Sequence, residues 1–249
     1  MRLFSSEAAH EYGSYTFAYA NYCVREAGDT LADIYKAGFL PYSGARGTKD
    51  VFYMARSARV ALADFEPTSE NRRIAKKFDG VFTKKRIPFK DFEITETFLV
   101  FCLDYFGSRH GAAVMPRERL ETILASGIIS TVVVYAKDTA VIAYVLEAGD
   151  ETMAHFWFSF YDLSLTKQSL GLWLMLDCMR DAKAQGLAHY YLGTVYGEKA
   201  LYKTNFEPLE WWSGEEWSSN FELLKTYTRT DIERSIAAAD KWKKSQDLF

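Results

Sequence analysis

The chain has 249 residues but only three cysteines, five prolines and four histidines, and its formal net charge is just -3. Cys23, Cys102 and Cys178 are odd in number and widely spaced, which excludes a disulfide framework. Without a close cysteine pair they do not suggest zinc or an iron–sulfur cluster, so no metal and no cofactor are expected. No stretch approaches the roughly 20 apolar residues of a membrane span. The opening MRLFSSEAAHEYGSY has no apolar leader core, and a cytoplasmic protein without a membrane partner is expected. The small net charge excludes a general nucleic-acid coat, yet the stretch from Arg56 to Arg86 is strongly basic. A polyanion would bind there, unless the stretch is simply a solvated surface. What is plentiful is apolar material, 49% of residues, enough for one large or two ordinary cores.

Periodicity gives a coarse organisation. TLADIYKAGF has helical spacing closed by Gly38, and VFYMARSARVALADF reads as a bent strand or a hairpin. After Pro67, Thr68 or Ser69 caps a helix SENRRIAKKF, with Ile74 and Phe78 on one face and Arg72, Arg73, Lys76 and Lys77 on the rest. TETFLVFCLDYFGSRHG is an apolar helix ending at Gly111, with Tyr105 in its packed stripe. Pro116 starts another helix, and a boundary falls near 111–127. From there the pattern runs strand, strand, strand, helix, strand, short helix, strand. ISTVVVYAKD and TAVIAYVLEAG form a hairpin at Asp138, and MAHFWFSFYDL is a central strand. This predicts an α/β (α+β) mixed sheet flanked by helices, with a smaller N-terminal α/β region. Residues 1–111 form the N-terminal region, 112–229 the catalytic domain and 230–249 a C-terminal helix.

The sharpest local feature is KQSLGLW, directly after a strand and Asp162. Ser169 is placed to cap the following helix, whose first-turn amides would hold a phosphate, and Gly171 permits close approach. Gln168 and Gly171 partly match the Q/R-x-x-G-x-G/A turn with which GNAT acetyltransferases grip coenzyme A, although Trp173 replaces the second glycine. The bland reading is an ordinary helix cap beside a glycine.

Four stretches, in order over about residues 50–215, resemble the arginyl- and leucyl-tRNA–protein transferases, whose catalytic half is GNAT-like. They are FEPTSENRRI, DYFGSRHG, SFYDLSLTKQSLGLW and HYYLGTVYGEKALYKTNFEPLEW. The chain departs from the family pattern in four places. VFYMARSARV has no cysteine where the family has a set linked to an iron–sulfur cluster. Leu163 follows Tyr-Asp in place of proline, Thr194 replaces a tyrosine, and Asp104 replaces an arginine. The resemblance implies transfer of arginine or leucine from aminoacyl-tRNA to the α-amine of a protein or peptide, typically one beginning with Asp or Glu. An already activated ester and a partly neutral amine need mainly positioning.

On that reading Asp162 orients or deprotonates the amine, Tyr161 donates to the carbonyl or ribose, and Ser159 shares Tyr161's face. Arg72 and Arg73 clamp tRNA or an acidic side chain, and Arg109 and His110, with Tyr105, face the cleft. The turn Gln168, Ser169, Leu170 and Gly171 takes the tRNA 3′ end. Lys203 holds a tRNA phosphate or helps to bind an acidic acceptor, and Glu210 faces the same region. Each has a structural alternative: Asp162 as a turn carboxylate, Tyr161 as core, Lys203 as a surface lysine, Arg109 and His110 as helix-end cations. Cys178 reads as core. Trp211, Trp212 and Trp217 either stack an adenine or build the fold. Two other functions remain open, an acetyl-coenzyme A-dependent N-acetyltransferase and a catalytically silent module that binds N-termini.

Overall fold

A computed structural model describes residues 1–5, 21–43 and 49–231. It divides into two compact units, one formed by residues 1–58, 194–203 and 210–249, the other by 59–193 and 204–209. The units are therefore drawn differently from the expected boundary at 111–112. Residues 59–111 join the second unit because their strands and helices complete its sheet and cover it.

In the first unit, β1 (Arg2–Ser5), β2 (Asn21–Val24), β3 (Phe39–Pro41) and β4 (Val51–Met54) form an antiparallel sheet in the order β1-β2-β4-β3. Helix α1 (Leu31–Lys36) is capped by Thr30, whose side chain accepts from the Asp33 amide, and buries Leu31, Ile34 and Tyr35. Gly38 follows with φ +85°, and a side chain there would collide with the Trp212 ring at 2.2 Å. Arg56 is sandwiched between the rings of Tyr196 and Tyr227 and paired with the buried Asp231 at 2.9 Å.

The second unit contains the mixed sheet. Its strands are β5 (Ser57–Ala61), β6 (Thr83–Pro88), β7 (Ile129–Lys137), β8 (Ala140–Gly149), β9 (Met153–Tyr161) and β10 (His189–Thr194), in the order β5-β10-β9-β8-β7-β6. β6 through β9 are antiparallel neighbours, whereas β9 and β10 run parallel. The hairpin at Asp138 is present, with Asp138 at φ +53°. β4 and β5 lie in different sheets, so the VFYMARSARV segment is a broken strand and forms no hairpin. β6 has no alternating apolar pattern; TKKRIP is a charged edge strand, and periodicity did not reveal it.

Helices cover both faces of this sheet. Residues alternate along each strand, so Tyr144 and Phe160 share one face. There they meet α3 (Glu96–His110), Phe98 packing on Tyr144 at 4.9 Å and Tyr105 on Phe160 at 5.9 Å. The opposite face takes α2 (Ser69–Phe78) and α5 (Leu170–Ala184), where Trp173 meets Tyr135, Phe78 and Phe82. Helix α4 (Arg117–Leu124) starts after Pro116. Helix α2 begins with a full capping box between Thr68 and Asn71. Back in the first unit, β11 (Leu209–Trp212) and β12 (Trp217–Ser218) form a short hairpin before a helix over residues 221–231. The helix expected over 230–249 lies outside the described residues beyond 231.

Under α5 sits a charged network. Glu147, 1% exposed, accepts from Arg86 at 2.5 Å and from the Tyr190 hydroxyl at 2.6 Å. Arg86 also reaches Asp181, and Lys84 bridges Asp177 and Asp181 at 2.8 and 2.7 Å. Burial pushes the Glu147 carboxyl upward, against the pull of Arg86 and Tyr190. Removing one member of such a pair leaves the other charge uncompensated. Glu147→Ala is expected to cost about 3 kcal/mol or more in denaturant unfolding, and Glu147→Gln, which still accepts a hydrogen bond, less.

Candidate active site

The parallel neighbours β9 and β10 pair only over Met153–His155 and His189–Tyr191. Beyond that point no described strand pairs with Phe156–Tyr161 on that side. A bulge opposite Leu146 and Glu147 bends β9 where the separation begins. The result is a slot beside β9, with half-buried Trp157, Phe158 and Ser159 along it and Tyr161 at its end. The partners of Ser159 and Tyr161 on β8 are Val145 and Ala143, so both side chains share the face that carries α5, as alternation predicts.

Past Tyr161 the chain makes a 3₁₀ turn over Leu163–Gln168 and then enters α5. Asp162 caps that turn, its Oδ1 accepting from the Ser164 amide at 2.9 Å, so the carboxylate has a structural role, and among the described residues its second oxygen has no partner. Ser169 does not act as the expected side-chain cap. It sits at φ +71° with no side-chain capping bond, because the preceding 3₁₀ turn delivers the chain to α5 through a left-handed residue. The Ser169 carbonyl takes the amides of Leu172 and Trp173. Among the described residues no backbone acceptor is seen for the amides of Leu170 and Gly171 at the start of this 15-residue helix, but Leu170 is 0% exposed, so the first turn is closed in by protein. Thr166 Oγ1, in the same turn, is buried without a partner.

The space over Gly171 is already occupied by protein. A Cβ there would stand 2.8 Å from Tyr161 Oη, so the glycine admits the tyrosine hydroxyl and leaves no room for a ligand to press on the backbone at that point. Tyr161 is held from its other side by Tyr105, ring to ring at 4.9 Å. Tyr105, Tyr161, Asp162 and the turn from Gln168 to Gly171 are thus brought together. Lys77, on α2, joins them by donating to the Gln168 carbonyl at 3.4 Å. Sequence reading placed Lys77 only on the polar side of its helix; the signal for it is the basic spacing of α2.

Other candidates stand apart from this group or change meaning. Arg73 is exposed and paired bidentately with Glu70 at 2.7 and 2.6 Å, and Arg72 donates to the Pro67 carbonyl. Arg109 and His110 are exposed in the last turn of α3, before Gly111. Partial burial and the neighbouring Arg109 lower the His110 pKa. Trp211 and Trp212 are buried, and Trp211 Nε1 donates to the Asn220 carbonyl, so both belong to the fold and cannot stack a base. Trp217 donates to the Lys36 carbonyl. Cys178 is buried in the core beside Tyr135 Oη at 3.4 Å. Glu210 is half-buried on β11 of the first unit.

Lys203 is no surface lysine. It is 8% exposed, in the first unit, with its Nζ donating to the Thr194 carbonyl at 2.6 Å. Burial, with no opposing carboxylate, pushes its pKa down to about 7.

Two outcomes follow from these contacts. Gly171→Ala is expected to destabilise the second unit by about 1–3 kcal/mol through overpacking, and Tyr161→Phe in the same chain to recover part of that loss in thermal unfolding. For Lys203 the unfolded chain binds the extra proton between pH 7 and the ordinary lysine value, so wild-type stability rises with pH across that window. Lys203→Met is expected to gain stability over wild type at pH 6, by up to about 5 kcal/mol less the lost hydrogen bond, and this gain to fade toward pH 10.5.

With the geometry described, comparison with known proteins places the chain. A family model described as an acetyltransferase (GNAT) domain matches residues 103–204, in agreement with the GNAT-like fold expected from the sequence. The crystal structure of FemX overlays with a TM-score of 0.43 at 11% identity, covering 66% of this chain and 59% of that one. An aspartate/glutamate leucyltransferase of Cereibacter sphaeroides is 31% identical over 65% of this chain and 60% of its own length. One from Ruegeria sp. is 30% identical over 199 residues, covering 72% of this chain and 70% of the relative. The alignment with this relative extends over most of both chains, and this protein belongs to the aspartate/glutamate leucyltransferase family.

Proposed function

We propose that the protein transfers leucine from leucyl-tRNA to the α-amine of a protein or peptide whose first residue is Asp or Glu, in the cytoplasm where charged tRNA is found. The observation that carries this reading is the slot where β9 parts from β10, ending at Tyr161 and Asp162 beside the start of α5. An aminoacyl ester fits such a slot with its acyl group along β9 and its terminal nucleotide toward the exposed Lys76, Lys77 and the turn before α5. Leucine suits the half-buried Trp157 and Phe158 along the slot, while the Asp162 carboxylate at its end is the group that a transferred arginine would use.

The chemistry is aminolysis. The acceptor nitrogen attacks the ester carbonyl, a tetrahedral intermediate forms, and the ribose hydroxyl leaves with a proton as the amide bond is made. The free Asp162 oxygen is placed to orient the amine and take its proton. Tyr161 Oη, next to Gly171, is placed to donate to the carbonyl oxygen or to the ribose. Positioning of this kind supplies several powers of ten without a covalent intermediate. Lys76, Lys77 and Lys167, on α2 and the 3₁₀ turn, offer charge for the acceptor stem. Arg72 and Arg73, held to their own helix, contribute field at its outer side.

Incubation with a mixture of charged tRNAs and a Glu-initiated peptide, read by intact mass, is expected to add one leucine residue. Absence of any added residue, together with tight coenzyme A binding, would favour an N-acetyltransferase instead. Lys76→Glu with Lys77→Glu is expected to raise KM for the tRNA at least tenfold and to flatten its salt dependence, since each phosphate contact contributes about one unit to the slope.

A further inference from the structure

Burial changes along the wall that α3 and β9 form within the second unit. At the end beside Asp162, Tyr105, Phe160 and Tyr161 are buried and packed together, Tyr105 lying 5.9 Å from Phe160 and 4.9 Å from Tyr161. Further back along β9, Trp157 and Phe158 are only half-buried, with their rings 5.1 Å apart. Phe106, next to Tyr105 on α3, is half-buried as well, 5.7 Å from Phe160 and 6.4 Å from Phe158. The His110 ring, one helical turn on and 5.2 Å away, holds Phe106 from its other side. Phe158 and Trp157 lie on the stretch of β9 that has left β10, so these rings line the slot. Rings fixed by their neighbours yet still partly wet make a preformed apolar wall, and covering it is favourable.

We propose that Phe106, with Phe158 and Trp157, seats the side chain of the transferred residue and limits its size, a role that rests on the transfer proposed above. That reaction brings two side chains to the slot, the acceptor's acidic one and the donor's leucyl group. A carboxylate pressed against these rings would lose its water and gain no partner from them, so the wall suits the aliphatic group. Length agrees. Phe158 stands three residues before Tyr161 on an extended strand, about 10 Å from the end where Tyr161 and Asp162 would act. A leucyl group reaches about 5 Å from its carbonyl carbon to its methyl carbons, and a contact distance at each end fills the remainder. A phenylalanyl group is longer and wider, and the Phe106 ring stands where its extra bulk would go.

The test compares kcat/KM for leucyl-tRNA and phenylalanyl-tRNA with one Glu-initiated peptide. Wild type is expected to prefer leucyl-tRNA by about 100-fold or more. Phe106→Ala is expected to lower kcat/KM for leucyl-tRNA and raise it for phenylalanyl-tRNA, narrowing the ratio by about tenfold or more, with KM for the peptide within about twofold. Phe106→Leu, which keeps an apolar contact with Phe160, is expected to fall between the two. An equal loss for both donors in both variants would mean a structural role, and a change confined to the peptide KM would mean that the rings face the acceptor; either overturns the proposal. A second measurement needs no variant and no reaction. With 3′-leucylamino-3′-deoxyadenosine, in which a stable amide replaces the ester, the leucyl methyl protons are expected to show NOEs to the ring protons of Phe106 and Phe158 in the wild-type protein; no contact with either ring overturns the assignment. Failure of wild type to transfer leucine would instead count against the proposed function, with the NOE measurement still deciding on the seat.

Discussion

Glu147 joins parts of the second unit that are distant in sequence. Its carboxylate, on β8, is held by Arg86 from the edge strand and by Tyr190 from β10, and Arg86 continues to Asp181 on α5. A carboxylate taken out of water is tolerable only if such partners are all in place. The network therefore fixes the edge strand, the sheet centre and the long helix with respect to one another. The turn at the head of α5 inherits that registry. The end of β9 and the head of α5 therefore cannot slide independently.

Much of the fold was legible in the residues because local and global preferences agree. The three antiparallel strands, the hairpin at Asp138 and the long helix after Asp162 all follow from alternation, turn chemistry and spacing. The edge strand TKKRIP was not legible, since its charges are placed for ion pairs across the sheet and no apolar repeat remains to be read. The break between β4 and β5 was seen, but sequence could not tell a hairpin from a chain that leaves one sheet for another.

The site shows a similar division. Motif spacing pointed to the turn from Gln168 to Gly171, which the fold sets at the start of α5 beside Tyr161. What spacing could not show was the use of each small residue. Gly171 reads as room for a ligand until Tyr161 is seen filling the space, and Ser169 reads as a cap until its backbone proves left-handed. Lys203 looks like any lysine on a short helix, because its burial is set by packing that residue spacing does not show. Lys77 could be found only once α2 and the turn were known to lie side by side.

The edge strand has one more consequence, outside catalysis. A sheet that ends in an open strand offers its unpaired backbone to any other extended chain, including a second copy of itself. In β6, Lys84, Lys85 and Arg86 follow one another, and Pro88 closes the strand without a donor. Two of those cations are engaged with carboxylates of their own unit, so they stay in place with their charge near the border. A neighbouring strand would have to bring its backbone up against that row of positive charge. The ion pairs that anchor the sheet from within also keep its border solitary, which matters for an enzyme proposed to handle the exposed ends of other polypeptides.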